Sequence, residues 1–340
     1  MSTFYQTDHN NKLHFDEFEH LVEDQCQIAL GKFKQILNNY ALFHFSFLII
    51  LTLQILLTIA LSTINVKSLP FAIMLASIFC TIFSYLIITY YFQGKKTNQF
   101  NEIKMTFFNE CKKSLIFDMD KNEYHLSLAN SAFQLTTYIR QKHVYAFHFP
   151  PFRFLEDTML KISFFVHWRD ILAMQELLMN SSIKEHITLI LQTPTSLSAH
   201  ISLANAYIAI SKIYTQPADL LLKDSFLCKR IFEKQIIKNK FNQSTEKAIE
   251  ELKVLDDLAP NDPWIHAQLA NCYHHLEMPG DEIHEYEILI NLRSTDKEIL
   301  YRLGSLYFHI GKNASGLKIY ERLLQLDNKI AKSLISNWRI

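Results

Sequence analysis

Cys272, His274 and His275 stand together in NCYHH, and a thiolate with two imidazoles is the kind of ligand set zinc prefers. Zinc needs four ligands that converge. The spacing C-x-H-H on one helix spreads three side chains around the barrel, so this stretch predicts no metal site. A second group is FDMDKNEYH, where Asp118, Asp120, Glu123 and His125 hold a metal ion if the segment folds as a loop. Charge-rich sequence between two helical patterns is more simply a turn. The chain has fifteen histidines, but none lies in a recognisable Cys or Ser nucleophile motif. Glu246, Glu250 and Glu251 read as a solvated helix face.

Glycine usage narrows the chemistry further. Six glycines in 340 residues is far below average usage of roughly 7%. Phosphate-cradling loops and dinucleotide turns need Gly where the backbone takes positive φ or approaches a ligand closely. Neither G-x-x-x-x-G-K-[ST] nor G-x-G-x-x-G nor G-x-S-x-G occurs. The expectation is therefore no catalysis and no cofactor. The same scarcity predicts a mostly helical chain. Five scattered cysteines, Cys26, Cys80, Cys111, Cys228 and Cys272, with no C-x-x-C pair, suit a reduced compartment. The 34 basic and 34 acidic residues cancel, which gives no electrostatic footprint for nucleic acid.

The elements that would carry any site begin with two apolar runs, Tyr40–Thr63 and Leu69–Phe92, each of 24 residues. As helix each is roughly 36 Å long, enough to cross a hydrocarbon core of about 30 Å. Lys67 is the one charge between Lys34 and Lys95, and it lies in the short turn INVKS. The two runs therefore predict a transmembrane hairpin. Lys32, Lys34, Lys95, Lys96 and Lys104 flank it, which places both termini in the cytoplasm by the positive-inside rule. Tyr40, Tyr90, Tyr91 and Phe92 would lie at the interface. Gln54 and His44 either line a pathway or join the helices, and the latter is the commoner role.

Amphipathic stripes continue both helices into water. Phe18, Leu21, Val22, Cys26, Ala29, Phe33, Ile36 and Leu37 form one, and Phe100, Ile103, Phe107, Cys111 and Leu115 the other. They predict a stalk, or else helices lying on the membrane surface. Glu123 to Gln141 is a further amphipathic helix, and the aromatic segment YAFHFPPFRF, Tyr145 to Phe154, marks a boundary at Pro150-Pro151. That segment is expected to cover the end of a helical stack; a partner-binding knob is the other reading.

A 34-residue shift lays Pro263–Asp296 over Lys297–Ile330 with eight identities. Ile265, Leu269, Tyr273 and His275 recur as Ile299, Leu303, Tyr307 and His309. Tyr286, Glu287, Leu289 and Leu292 recur as Tyr320, Glu321, Leu323 and Leu326. Asp262 before Pro263 reads as an N-cap, and Thr295 with Glu298 as a capping box. The period and the pattern Leu303-Gly304, Tyr307, Gly311, Gly316, Tyr320 resemble the tetratricopeptide repeat. Leu269-Ala270, Tyr273, Tyr286 and Leu289 match in the preceding unit. Leu289 and Leu323 replace a small residue of that pattern, and Glu282 replaces Ala. AHISLANAY opens an earlier unit, Pro194 ends another, and QPADLLLKDSF reads as an altered turn. Lys229 to Phe241 reads as the divergent first half of a unit whose second half holds Ala248, Leu252 and Leu255. Lys329–Ile340 reads as a capping helix.

The resemblance implies an α-solenoid of antiparallel helix pairs over residues 155–340, behind an N-terminal helix at 1–39, the hairpin at 40–92 and a connector at 93–154. It implies a concave groove for a protein or peptide segment. Groove positions on the first helices would be Asn205, Ile208, Ala267, Asn271, His274, His275, Tyr301, Ser305, Phe308 and His309. Family members that clamp a C-terminal carboxylate need basic residues beside their asparagines; Ile201, Ala267, Tyr301 and Ser305 supply none. The first expectation is thus an integral membrane scaffold that binds a protein partner and the bilayer. The hairpin also resembles, less specifically, the bilobed segment of chlamydial inclusion-membrane proteins, which would display the repeats to a host cytosol. From another class, a membrane-bound enzyme or metal-binding protein would carry its site in residues 95–155.

Overall fold

A computed structural model describes residues 2–63, 68–115, 121–140, 156–215 and 235–338, and every secondary-structure element among them is helical. The turn at Asn65, the aromatic segment 145–154 and QPADLLLKDSF lie outside the described residues. The chain forms two compact units, one reaching Glu185 and the other beginning at His186.

In the first unit, α1 (Ser2–Thr63) and α2 (Ser68–Leu115) run without a break through the apolar stretch and its amphipathic flank. Among the described residues nothing covers their apolar windows, and both are long and apolar enough to cross a membrane. Side chains such as Leu53, Leu56, Phe79 and Phe83 are exposed there and make a continuous apolar surface. Polar side chains tie the two helices at intervals. Gln54 donates to Thr81 at 3.0 Å, His44 Nδ1 lies 3.0 Å from the Tyr85 hydroxyl, and Tyr40 donates to Gln99 at 2.9 Å. Gln54 and His44 thus join the two helices.

Beyond the apolar stretch the two stripes meet as their spacing requires. Val22, Cys26, Phe33 and Leu37 pack against Phe100, Ile103, Phe107 and Cys111, with the Phe33 and Phe100 rings 5.1 Å apart. This core is larger than a two-helix stalk. Leu128, Ala132, Leu135 and Ile139 of α3 (Lys121–Arg140) join it, as do Ile171, Met174 and Leu178 of α4 (Glu156–Gln192). The boundary expected near residue 155 therefore moves. Most of α4 belongs to the bundle, because its apolar residues at helical spacing complete the bundle core rather than a repeat. Lys96 donates to Asp170 at 2.8 Å and sits 4.5 Å from the Tyr40 ring, which fastens α4 to the hairpin at the end of the apolar run. His125 pairs with Glu185 at 2.7 Å, and Ser182 donates to the Ala129 carbonyl at 3.0 Å.

The second unit is a tetratricopeptide-like array of antiparallel helix pairs. α5 (Leu197–Thr215) pairs with α6 (Gln235–Leu258), α7 (Pro263–His275) with α8 (Pro279–Leu292), and α9 (Lys297–His309) with α10 (Asn313–Leu326). α11 (Asn328–Trp338) closes the stack with Ala331 and Leu334 in the core. Gly304 makes room for that closure, since a Cβ there would lie 2.7 Å from Leu334 Cδ2 and oblige that side chain to shift. Of the expected half-unit at 229–241, residues 229–234 lie outside the described residues, and the rest does not end in a turn before the second half. Gln235 and Asn239 instead start the long α6, whose sequence has no Gly or Pro to break it.

Caps follow local chemistry. Asp262 accepts from the Trp264 amide with Pro263 in the first turn, as expected. The other cap is Asp296 and not Thr295: its carboxylate accepts from the amides of Glu298 and Ile299. Helices α7 and α9 end in the same turn. Met278 and Lys312 donate back to the Tyr273 and Tyr307 carbonyls, at 3.0 and 2.8 Å. The residue before each has positive φ: Gly311 at 79°, and Glu277 at 58° where no glycine stands.

Candidate functional site

The first helices of the pairs, α5, α7 and α9, carry the residues the repeat frame assigns to a groove. Asn205, Ala267, His274, His275 and His309 are exposed, and Asn271, Tyr301 and Ser305 are half-buried. Ile208 and Phe308 are not available to a ligand. Ile208 is 6% exposed among Ala204, Leu252, Leu269 and Tyr273, and Phe308 is 8% exposed among Leu300, Leu303 and Leu323. The reason for Phe308 lies across its hairpin, at Gly316. A Cβ there would come 2.6 Å from the ring, so the glycine admits the phenyl into the core. Phe308, expected in the groove, is a packing residue.

Electrostatics of the remaining face centre on Glu282, which the repeat pattern would make small. The residue is 5% exposed and its carboxylate lies 3.1 Å from His274 Nδ1. Burial raises its pKa, while His274, Arg302 and His309 oppose the shift. His275 has its ring 6.1 Å from Phe241 and 5.8 Å from His274. Burial, then His274 and Lys212, hold its pKa below the usual imidazole value. The face therefore offers histidines, amides and a tyrosine around one sunken carboxylate.

The groups that first suggested chemistry do not converge. Cys272 points into the core beside Leu269 and Tyr273, and burial pushes its thiol up to about 11, whereas His274 and His275 face outward. His125 is engaged by Glu185, Glu123 is exposed, and Asp118 and Asp120 lie outside the described residues. Cys26 and Cys111 are buried, and desolvation pushes each thiol up to about 12, so neither is a nucleophile at neutral pH. Among the described residues no group of three or more His, Cys, Asp or Glu is placed to hold a metal ion.

Two pairings went unforeseen. His200 Nδ1 meets the Glu251 carboxylate, which takes Glu251 off the supposed solvated face, and Nε2 lies 2.9 Å from the Pro194 carbonyl. His266 repeats this with Glu285 at 2.8 Å and the Pro260 carbonyl at 3.0 Å. The available signal was a proline six residues before each histidine, PTSLSAH and PNDPWIH. In the third hairpin Leu300 and Ile319 take the corresponding positions, and Arg322 reaches the Ser294 carbonyl at 2.6 Å.

No family model matches the chain, and no curated protein matches it. Solved structures do show likenesses. The tetratricopeptide protein TTC0263 of Thermus thermophilus is 17% identical with a TM-score of 0.32, over 64% of this chain and 100% of that one. YrrB, a tetratricopeptide protein described as having an unusual peptide-binding site, is 12% identical with a TM-score of 0.26, over 46% of this chain and 84% of that one. MamA is 14% identical with a TM-score of 0.26, over 46% and 93%.

Proposed function

We propose that the protein is a membrane-anchored, non-enzymatic scaffold: α1 and α2 hold it in the bilayer, and the first-helix face of the array recruits a segment of another protein. The anchor is supported by apolar windows that nothing among the described residues covers, together with polar pairs that join the two helices. Both termini and the array lie on the cytoplasmic side in this proposal, on the strength of the flanking lysines. The observation that carries recruitment is the exposure of Asn205, His274, His275 and His309, with half-buried Asn271 beside them, on successive first helices. Neighbouring Leu203, Ala204, Leu269, Ala270, Leu303 and Gly304 are buried. Such a face can hydrogen-bond an extended backbone.

Photo-crosslinking in native membranes tests recruitment. A crosslinking residue at Asn271 should capture a discrete partner, and one at Lys318, exposed on α10, should not. Equal capture at both positions would defeat the proposal. Orientation is tested by a cysteine at Asn65, which should react with an impermeant reagent from outside, while one at Asn328 should need a permeabilised membrane. Release of the protein by alkaline carbonate would remove the anchor altogether.

A further inference from the structure

His200 and His266 occupy equivalent places in two consecutive hairpins, and each ring is gripped between two acceptors. A backbone carbonyl faces Nε2 and a carboxylate faces Nδ1 in both cases. A neutral imidazole has one N–H, so it can satisfy only one side, unless the carboxyl itself supplies the second proton. Both contacts are therefore made together only when the ring and carboxylate share a proton beyond what a neutral imidazole and an ionised carboxylate hold. The rings are buried, at 6% exposure for His200 and 2% for His266, so water does not replace a lost bond cheaply.

We propose that these two clamps make the array pH-responsive: loss of the shared proton loosens α5–α6 and α7–α8, while α9–α10 is indifferent. The third hairpin is a built-in control, because Leu300 and Ile319 put hydrocarbon where the others put the pair, and Arg322 covers the carbonyl. The surroundings of each ring agree with a bound proton. From α6, Glu251 acts on His200, and Glu250 lies close enough to act with it on Tyr207, over whose ring Lys247 sits at 5.9 Å. His266 faces Glu285 from α8 and Asp256 from α6, the latter 3.5 Å from Nε2; Lys253 acts on Tyr273. Burial alone would lower both imidazoles, but the proline carbonyls and carboxylates outweigh it and raise them.

The sign follows from linkage. A group whose folded pKa exceeds its unfolded value of about 6.5 contributes fully below that value and loses the contribution as pH rises through the folded pKa. Asn205, Asn271, His274 and His275 ride on the clamped helices, so the device regulates the face proposed above. Its test needs no partner, and its failure is separate from a failure of recruitment.

Hydrogen exchange of the full chain in detergent, from pH 6 to 9 and corrected for intrinsic rates, reads each hairpin separately. Protection in α5–α6 and α7–α8 should fall with rising pH relative to α9–α10. Replacing both histidines, His200→Gln with His266→Gln, keeps an N–H donor and removes the titration, so the relative loss should vanish. A parallel response in all three hairpins of the wild-type protein would overturn the proposal without any variant. A pH-dependent loss that persists in the double variant would also overturn it.

Discussion

The hairpins α7–α8 and α9–α10 share eight residues in register and the same turn, yet their interiors are built from different chemistry. One buries His266 against Glu285 and a proline carbonyl; the other buries Leu300 against Ile319 and hands the carbonyl to an arginine. The difference teaches that the shared leucines and tyrosines set the helix spacing, while the remaining interior positions change as a set. A buried histidine without its carboxylate, or the reverse, would leave a charge desolvated.

The sharpest way to break this equivalence is to split a set. His266→Leu alone leaves Glu285 buried without its partner and should cost about 3–5 kcal/mol of local stability, measured as the opening free energy of α7–α8 by hydrogen exchange. A cost under about 1 kcal/mol would mean that the pair does not couple. Transplanting the whole set, as His266→Leu, Glu285→Ile and Ile288→Arg, should recover more than half of that loss, since the introduced guanidinium would then face the Pro260 carbonyl as Arg322 faces that of Ser294.

Next in size is a residue the two hairpins hold in common. Leu303→Ala should cost about 2–5 kcal/mol in α9–α10, because Leu303 is 2% exposed amid Tyr286, Tyr307 and Leu323. Gly316→Ala tests what only the third hairpin has. Its methyl would meet the Phe308 ring, and the strain should cost about 1–3 kcal/mol unless the ring moves out. A ring that swung outward would become reactive to crosslinking from the groove face.

The turns supply a gain instead of a loss. Glu277→Gly places glycine where the chain already takes positive φ, and should stabilise the α7–α8 turn by up to about 1 kcal/mol. The smallest expected effect is Lys318→Ala on the exposed side of α10, within about 0.5 kcal/mol of wild type. A cost there comparable to that of Leu303→Ala would mean the helix frame is rotated.

The sequence by itself determined the all-helical class, the two apolar runs, the stripes on their flanks and the 34-residue frame. Each of these depends on residues near one another along the chain: hydropathy over a helix length, apolar spacing near 3.6, and Asp262 beside Pro263 at a cap. The frame also put His274 and His275 on a first helix, where both are exposed. Tertiary structure decided what spacing cannot carry. Phe308 has the same local pattern as a groove residue, and its burial depends on the missing side chain at Gly316, eight residues away on another helix. Most of α4 joined the bundle because its apolar face had a core to complete, which no periodicity in α4 reveals. Glu251 resembled a solvated acid until α5 brought His200 to it, 51 positions away. Helical spacing says which side chains share a face, but the desolvation of a charge and the filling of a void are set by atoms from other helices, and only packing brings those atoms together.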